Sequence, residues 1–450
     1  MSEFQLKYFS IIGFQNRSDV SIPFEGPTKI LIGENGIGKT QILNILYYCL
    51  SRKFDKLVNY TFSKIIIGFA DEEIEIQKSH VESSVLGNES PLIQRISSRM
   101  GFNEFALLRN KIAHEGMTWG EFRRSNFAHD LITIAPLDII FDVIKSSLRK
   151  DKYPDLFSSE LSAIKEKISE KISPNQILYF PTYRRIEEEL KNLGYNEEEL
   201  RLKTDDNKLI HFGMDDVQRR FEIITGNIYK ISKEGFAKLS SEILSQLVRG
   251  NPVIDEYSID SIDENDIQII LERIGKQLSN EDKEKIRQTI TNKELKGKNN
   301  LLLYFLQKLV EIYNQQREFD ATIKEFVRVC NNYLVNKKVI YDESAMSIYI
   351  QLDDSDKKLL LSKLSSGEKQ IISILSKIYL TTKDYKFIVL FDEPELSLSL
   401  FWQRNLLPDI VNSGKCAFLL AVTHSPFIFE NDLDQFAIGT GRYIKPYTDM

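Results

Sequence analysis

Gly33-Glu34-Asn35-Gly36-Ile37-Gly38-Lys39-Thr40 joins an apolar run at residues 29–32 to a helical pattern over residues 39–50, and this stretch decides the fold. A glycine-rich turn between a buried strand and a helix is a phosphate cradle. The glycines let backbone N–H groups turn inward around a β-phosphate, and the helix N-terminus adds positive potential. Lys39 then bridges the β- and γ-phosphates, Thr40 offers its hydroxyl to Mg2+, and Asn35, Gly36 and Gly38 line the cradle. ATP with Mg2+ is the expected ligand. The competing reading, a glycine-rich turn without a ligand, does not explain why the pattern falls on a strand-to-helix junction.

The other half of such a site lies far downstream. Phe387-Ile388-Val389-Leu390-Phe391 is a continuous apolar strand that ends in Asp392-Glu393. Asp392 is expected to hold the Mg2+ shell. Glu393, one residue on in an extended chain, is expected to project to the other side and polarise a water in line with the γ-phosphate, as a general base. Phe418-Leu419-Leu420-Ala421-Val422 is another buried strand, followed by Thr423-His424-Ser425-Pro426. A lone histidine is more often structural than catalytic. His424, however, comes one strand-helix-strand unit after Glu393, where it can reach the γ-phosphate and report its presence. His80, His114, His129 and His211 have no assignable partners.

Outward from these motifs the chain divides. Its 450 residues and 42% hydrophobic content suffice for two or three units with real cores. Residues 1–78 read as one half of an α/β head, with strands at 5–14 and 29–32, the helix at 39–50 and a strand pair within 60–77. Residues 79–175 read as an inserted helical region containing an apolar segment at 130–143 and a charged helix at 161–171. Residues 176–214 hold a return strand, Ile177-Leu178-Tyr179-Phe180, closed by Pro181 and followed by a polar linker. Residues 215–335 are helical throughout. The spacing of Leu302, Leu306, Leu309, Tyr313, Phe319, Ile323, Phe326 and Tyr333 predicts a helical hairpin or short coiled-coil arm, with Gln316 breaking its seam. A helix of about 35 residues reaches only about 50 Å, which excludes the very long arms of chromosome-tethering ATPases. Residues 336–450 complete the head with a strand at 338–351, then helix, strand, helix and strand. The fold class is α/β, a P-loop ATPase head in split sequence halves with inserted helices.

The net charge of -6 builds in no bulk attraction to nucleic acid or anionic membrane. A local basic patch would draw on Arg123-Arg124, Arg184-Arg185 and Arg219-Arg220, pairs that otherwise read as solvated helix faces. No 18-residue apolar run occurs and the first residues lack signal-peptide features, so a cytoplasmic protein without a membrane partner is expected. Cys49, Cys330 and Cys416 are too scattered for a disulfide framework or a metal site and read as buried bystanders.

Leu364-Ser365-Ser366-Gly367-Glu368 matches the signature motif of ABC ATPases and leads into a helical pattern over 369–379. Alone, Ser, Ser and Gly before a helix are ordinary capping residues; between Lys39 and Asp392 they favour the signature. In the ABC arrangement Ser365, Ser366 and the backbone around Gly367 donate to a γ-phosphate held by the opposite subunit, so this resemblance implies an ATP-dependent dimer. Together the motifs, over residues 1–75 and 336–430, resemble the ABC ATPases of the SMC, RecF and OLD-like group. Glu393-Pro394-Glu395-Leu396-Ser397-Leu398 with Trp402-Gln403 resembles an extended motif of OLD-like ATPases. Tyr179-Phe180-Pro181-Thr182-Tyr183-Arg184-Arg185-Ile186-Glu187 resembles another segment of that group. Where the group commonly carries His-Pro, this chain has Ser399-Leu400, so no interface histidine is carried over.

OLD proteins continue into a TOPRIM nuclease domain, for which the residues after His424 leave no room; an effector is therefore expected to be a separate protein. Length and inserted helices make the chain most similar to the ATPase of the PARIS anti-phage system, with the Septu ATPase next. That resemblance implies a sensor and scaffold, a dimer or higher oligomer, that controls a separate TOPRIM-type nuclease and responds to a phage trigger protein. Residues 215–335 would be its docking surface. The alternative is a RecF-like DNA-repair or recombination ATPase that clamps DNA, which needs a basic groove, although the stretch 187–206 is rich in acid. A transporter ATPase is a third reading, disfavoured by the inserted arm. The water-positioning residue stays open among Gln176, Thr182 and Arg184.

Overall fold

The structure, a computed structural model, describes residues 4–34, 36–86, 91–113, 116–131, 134–147, 156–181, 214–249, 264–274, 278–291, 300–381 and 384–447. The chain forms two compact units. One comprises Met1–Leu202, Tyr385–Leu396 and Cys416–Met450, the other Lys203–Asp384 and Ser397–Lys415.

The first unit contains two sheets. β1 (Leu6–Phe14), β2 (Ser18–Pro23), β4 (Lys64–Phe69), β5 (Glu73–Gln77) and β13 (Ile444–Pro446) pair antiparallel in the order β13-β2-β1-β4-β5. β3 (Thr28–Ile32), β6 (Gln176–Phe180), β10 (Phe387–Asp392), β11 (Cys416–Thr423) and β12 (Ala437–Gly439) form a parallel sheet in the order β12-β3-β11-β10-β6. Parallel strands covered on both faces read as unbroken apolar runs, and every residue of β10 is buried. The helix Lys39–Leu50 buries Ile42, Leu43, Ile45, Leu46, Cys49 and Leu50, too many for one stripe. It packs in a single core with Phe9, Ile11, Ile65 and Ile67 of the antiparallel sheet and with Ile388, Leu390, Leu420 and Val422 of the parallel one.

Register fixes where chemistry can occur. Ile32 pairs with Thr423, Asp392 with Val422, and Phe391 with Phe180, so the carboxyl ends of β3, β10, β11 and β6 lie side by side. Ligands of open α/β sheets bind beyond that edge. The helices between Pro91 and Ser147 gather around their own core of Ile96, Phe105, Leu108, Phe122, Leu131 and Ile140, whereas the helix Lys78–Leu86 buries Val81 in the main core. The helix Leu156–Ile172 returns to the main core through Leu161, Ile168 and Ile172.

The second unit is built on two long antiparallel helices, Met214–Arg249 and Asn300–Asn331. Tyr304 donates to Glu242, Ile312 lies against Gly235, Gln316 donates to Ser232, and Phe326 stacks edge-on to Phe221, so the partners run in opposite directions. Gln316 does not break the seam. It is buried, its amide donates to Ser232 Oγ at 2.9 Å, and its carbonyl accepts from Arg273. Arg273, on the helix Glu264–Arg273, also donates to both Asp320 carboxylate oxygens (2.8 and 2.9 Å) and to the Glu343 carbonyl (3.0 Å). Tyr341 donates to the same Asp320. A polar residue in a packed helix pair is tolerated when every partner is satisfied, and here the seam is fixed by a complete polar layer.

Residues 338–351 are not a single strand. They form most of a hairpin, β7 (Lys337–Asp342) and β8 (Ser347–Leu352), with β9 (Lys358–Leu359) at the edge of β8. Met346 turns the chain with φ 49, a conformation no Gly, Asn or Pro in the sequence advertised. The helices Ser366–Tyr379 and Leu400–Val411 complete the unit.

Candidate active site

Gly33 follows β3, and the turn to the helix uses left-handed glycines: Gly36 has φ 89 and Gly38 φ 90. At Gly38 a Cβ would strike the Phe14 ring at 2.8 Å, so both backbone conformation and space demand glycine. Asn35 lies outside the described residues. Lys39 is buried, and its Nζ donates to the carbonyls of Gly33 (2.6 Å) and Glu34 (2.7 Å). Burial pulls its pKa below the ordinary lysine value, while Glu393, Asp392 and Glu395 act in the opposite sense.

Thr40 Oγ1 donates to Asp392 Oδ1 at 3.0 Å, and Asp392 is only 1% exposed. One hydroxyl and one buried carboxylate side by side fit Mg2+, which takes few protein oxygens and fills its octahedron with phosphate and water. A Mg2+ ion held by Thr40 and Asp392 would neutralise phosphate charge there.

Glu393 departs from expectation in how it is aimed. The strand does not continue through it: Glu393 has φ 51, a left-handed turn imposed where its own N–H bonds to Val422 O at 2.8 Å. A non-glycine residue held there is strained, and such strain gathers at functional sites. Its Oε1 lies 3.7 Å from His424 Nε2. Burial raises the Glu393 pKa, the charges of Asp392 and Glu395 raise it further, and His424 and Lys39 oppose them. A carboxyl pushed up in this way is a better proton acceptor, as a general base must be.

Sequence reasoning gave Glu395 no role. Its carboxylate accepts from Thr423 Oγ1 and from the His424 backbone N–H, each at 2.8 Å. Its place in the Glu393-Pro394-Glu395 stretch was the signal in the sequence. The β1–β2 turn was also missed. Gln15 and Asn16 both have positive φ, and Gln15 Nε2 donates to Gln41 on the phosphate-loop helix at 2.8 Å. Together with Asn59, Tyr60 and Thr61 they line a cavity of about 390 Å3 beside that helix.

Of the open water-positioning candidates, Gln176 is excluded. It begins β6 opposite Phe387, the first residue of β10, so it sits about 16 Å along the strand from Asp392. Thr182 and Arg184 lie outside the described residues, as do Arg185, His114 and His211. His80 does have a partner, Glu160, at 3.4 Å. Among the basic pairs, Arg123, Arg124 and Arg219 are exposed, whereas Arg220 donates to Ser376 at 3.0 Å and is desolvated enough to lower its pKa. Cys49 and Cys330 are buried and Cys416 is half-buried; all three are free thiols whose pKa values burial raises.

The signature residues belong to the second unit. The helix begins at Ser366, three residues earlier than its apolar pattern suggested, and Ser365 is its N-cap. A capping box closes the turn: Ser365 N–H donates to Glu368 Oε2 at 2.8 Å, Glu368 N–H to Ser365 Oγ at 3.4 Å, and Lys337 pairs with Glu368 at 2.9 Å. The capping role is therefore real, and it leaves Ser365 and Ser366 exposed at a helix N-terminus. Gly367 is buried against the Ser397 carbonyl, which an added Cβ would meet at 2.5 Å.

The profile of the AAA ATPase domain family (AAA_15) matches residues 5–429 of this chain. The chain is 27% identical over 108 residues to the DNA replication and repair protein RecF of Clostridium kluyveri, a match covering 21% of this chain and 30% of that protein's length. A crystal structure of the Smc head domain with an extended coiled coil, bound to the C-terminal domain of ScpA, from Pyrococcus furiosus overlays 94% of this chain and 91% of that one. Identity is 13% and the TM-score 0.34.

Proposed function

We propose, since the chain belongs to the AAA ATPase domain family, that this ATPase works through composite sites, each closed on ATP by the signature helix of a second copy. The observation that carries the proposal is the exposed N-terminus at Ser365 and Ser366. The N–H groups of Ser366 and Gly367 precede the first intrahelical bond, and such groups with the helix dipole favour an anion. A γ-phosphate presented by another copy supplies it, as in the ABC arrangement that the motif resembles.

In the first unit Lys39 and the phosphate loop bind the β- and γ-phosphates, and the base lies toward Gln15, Asn16 and Asn59. Glu393 takes a proton from water as its oxygen bonds to the γ-phosphorus and the bond to ADP breaks; His424 donates to the γ-phosphate and registers its loss. Mg2+ belongs with Thr40 and Asp392.

For what the switch drives, the lead reading is a defence sensor and scaffold that holds a separate TOPRIM-type nuclease on the helical region of residues 215–335. The resemblance to the PARIS ATPase supports it. The second reading is a DNA clamp, which the RecF match favours. The engagement of Arg220 with Ser376 removes one cation from the basic groove it requires. Light-scattering mass of Glu393→Gln, with and without ATP, expressed alone and beside the neighbouring gene product, tests both. A closed assembly that retains a nuclease supports the first reading. Closure without a protein partner, together with salt-sensitive retention of duplex DNA, moves the assignment to the second.

A further inference from the structure

We propose that Glu395 is a positioning residue for hydrolysis: through Thr423 and His424 it holds the sensing histidine against the general base. The inference rests on the ATPase mechanism just given. β11 ends at Thr423, whose ladder partner is Ile32. One residue further, the His424 N–H donates to Glu395 Oε1 at 2.8 Å, while Glu395 Oε2 accepts from Thr423 Oγ1, also at 2.8 Å. Thr423 is fully buried, and its Oγ1 accepts from Ser425 N–H at 3.0 Å, closing the turn that carries the histidine. On the other side of the same loop, Glu393 N–H is fixed to Val422 O at 2.8 Å. The ends of β10 and β11 are thus stitched on both sides of the Glu393–His424 approach of 3.7 Å. The left-handed turn at Glu393, followed by Pro394, sends Glu395 back toward β11.

A neutral acceptor would serve the fold alone. What the ion adds is two charge-assisted bonds to consecutive residues, which fix direction as well as distance.

The test is a mutant cycle on the full chain: Glu395→Gln, Glu395→Ala, Thr423→Val, His424→Ala and Glu395→Ala/His424→Ala, with kcat, KM, nucleotide affinity and melting temperature measured for each. Glu395→Gln keeps one acceptor and lowers kcat about tenfold, and Glu395→Ala lowers it about 10²-fold, the cost of misplacing a reacting group by roughly 1 Å. KM and affinity for ATP stay within about twofold of wild type. Thr423→Val reproduces the kcat-only loss in milder form. In the His424→Ala background Glu395→Ala costs nothing further, because the two act as one unit. Additive losses in an active protein, or a fall in nucleotide affinity matching the fall in kcat, overturn this role alone. A wild type that binds ATP and never hydrolyses it removes the mechanism and this role together.

Discussion

Replacing Gly367 by alanine perturbs the signature helix and leaves the phosphate loop unaltered. The new methyl carbon would lie 2.5 Å from the Ser397 carbonyl oxygen and 3.0 Å from Trp402 Cζ3. The nearer atom is backbone and cannot rotate away, so relief requires the helix start or the Ser397 segment to move by roughly 1 Å. Overpacking of this kind costs about 1–3 kcal/mol. Restricting the unfolded chain returns about 0.4–1 kcal/mol, and Gly367 has no positive φ to forfeit, so the clash wins. Net destabilisation of about 1–2 kcal/mol lowers the melting temperature by about 2–8 °C. The same shift moves the exposed N–H groups off the incoming phosphate and lowers kcat about 10²-fold. Lys39, Thr40 and Asp392 belong to the other unit, so affinity for a fluorescent ATP analogue stays at the wild-type value. Calorimetry, steady-state hydrolysis and analogue titration read the three quantities. An unchanged melting temperature with kcat within about twofold of wild type would mean that the helix start accepts the methyl group without moving, and an equal loss of affinity would place the signature's role elsewhere.

Three further outcomes are expected. Thr40→Ala removes the hydroxyl that donates to Asp392 and an oxygen for Mg2+, so half-saturating Mg2+ in the ATPase assay rises about 10–100-fold; no change would take Thr40 out of the metal shell. Arg273→Met leaves the buried Asp320 charge without its cation and costs about 3–5 kcal/mol in urea denaturation, where a loss below about 1 kcal/mol would mean water reaches the arm's polar layer. Glu393 has a raised folded-state pKa, so its contribution to stability is fully present below the unfolded glutamate pKa and lost as pH rises through the folded one. Nucleotide-free Glu393→Gln is therefore more stable than wild type at pH 7, with the advantage vanishing near pH 4; a pH-independent difference contradicts that assignment.

The parallel sheet was legible because burial on both faces writes strands such as β10 and β11 as unbroken apolar runs that end in Asp392-Glu393 and Thr423-His424. β2 was not, since Ser18-Asp19 and Pro23 carry no strand signal and its pairing is supplied by β1 and β13. The three-residue strands β12 and β13 are too short to show a period. Gln316 read as a defect because its partners, Ser232 and Arg273, lie on other helices. The phosphate loop announced itself because its chemistry is contiguous. The aim of Glu393 and the work of Glu395 did not, because each depends on how β10 and β11 end together. Gln176 was kept as a candidate only because a sequence does not say which end of a strand faces the ligand.

Whether one copy's phosphate loop is completed by another's signature is tested most directly by mixing two inactive proteins. Lys39→Ala loses its own phosphate loop and keeps its signature. Ser366→Asp keeps the loop and places a carboxylate at the helix N-terminus, where it repels phosphate. In an equimolar mixture half of the dimers are mixed, and each mixed dimer has one intact site of two, so ATPase activity should recover to about a quarter of wild type. A mixture no more active than its two parents would contradict the account.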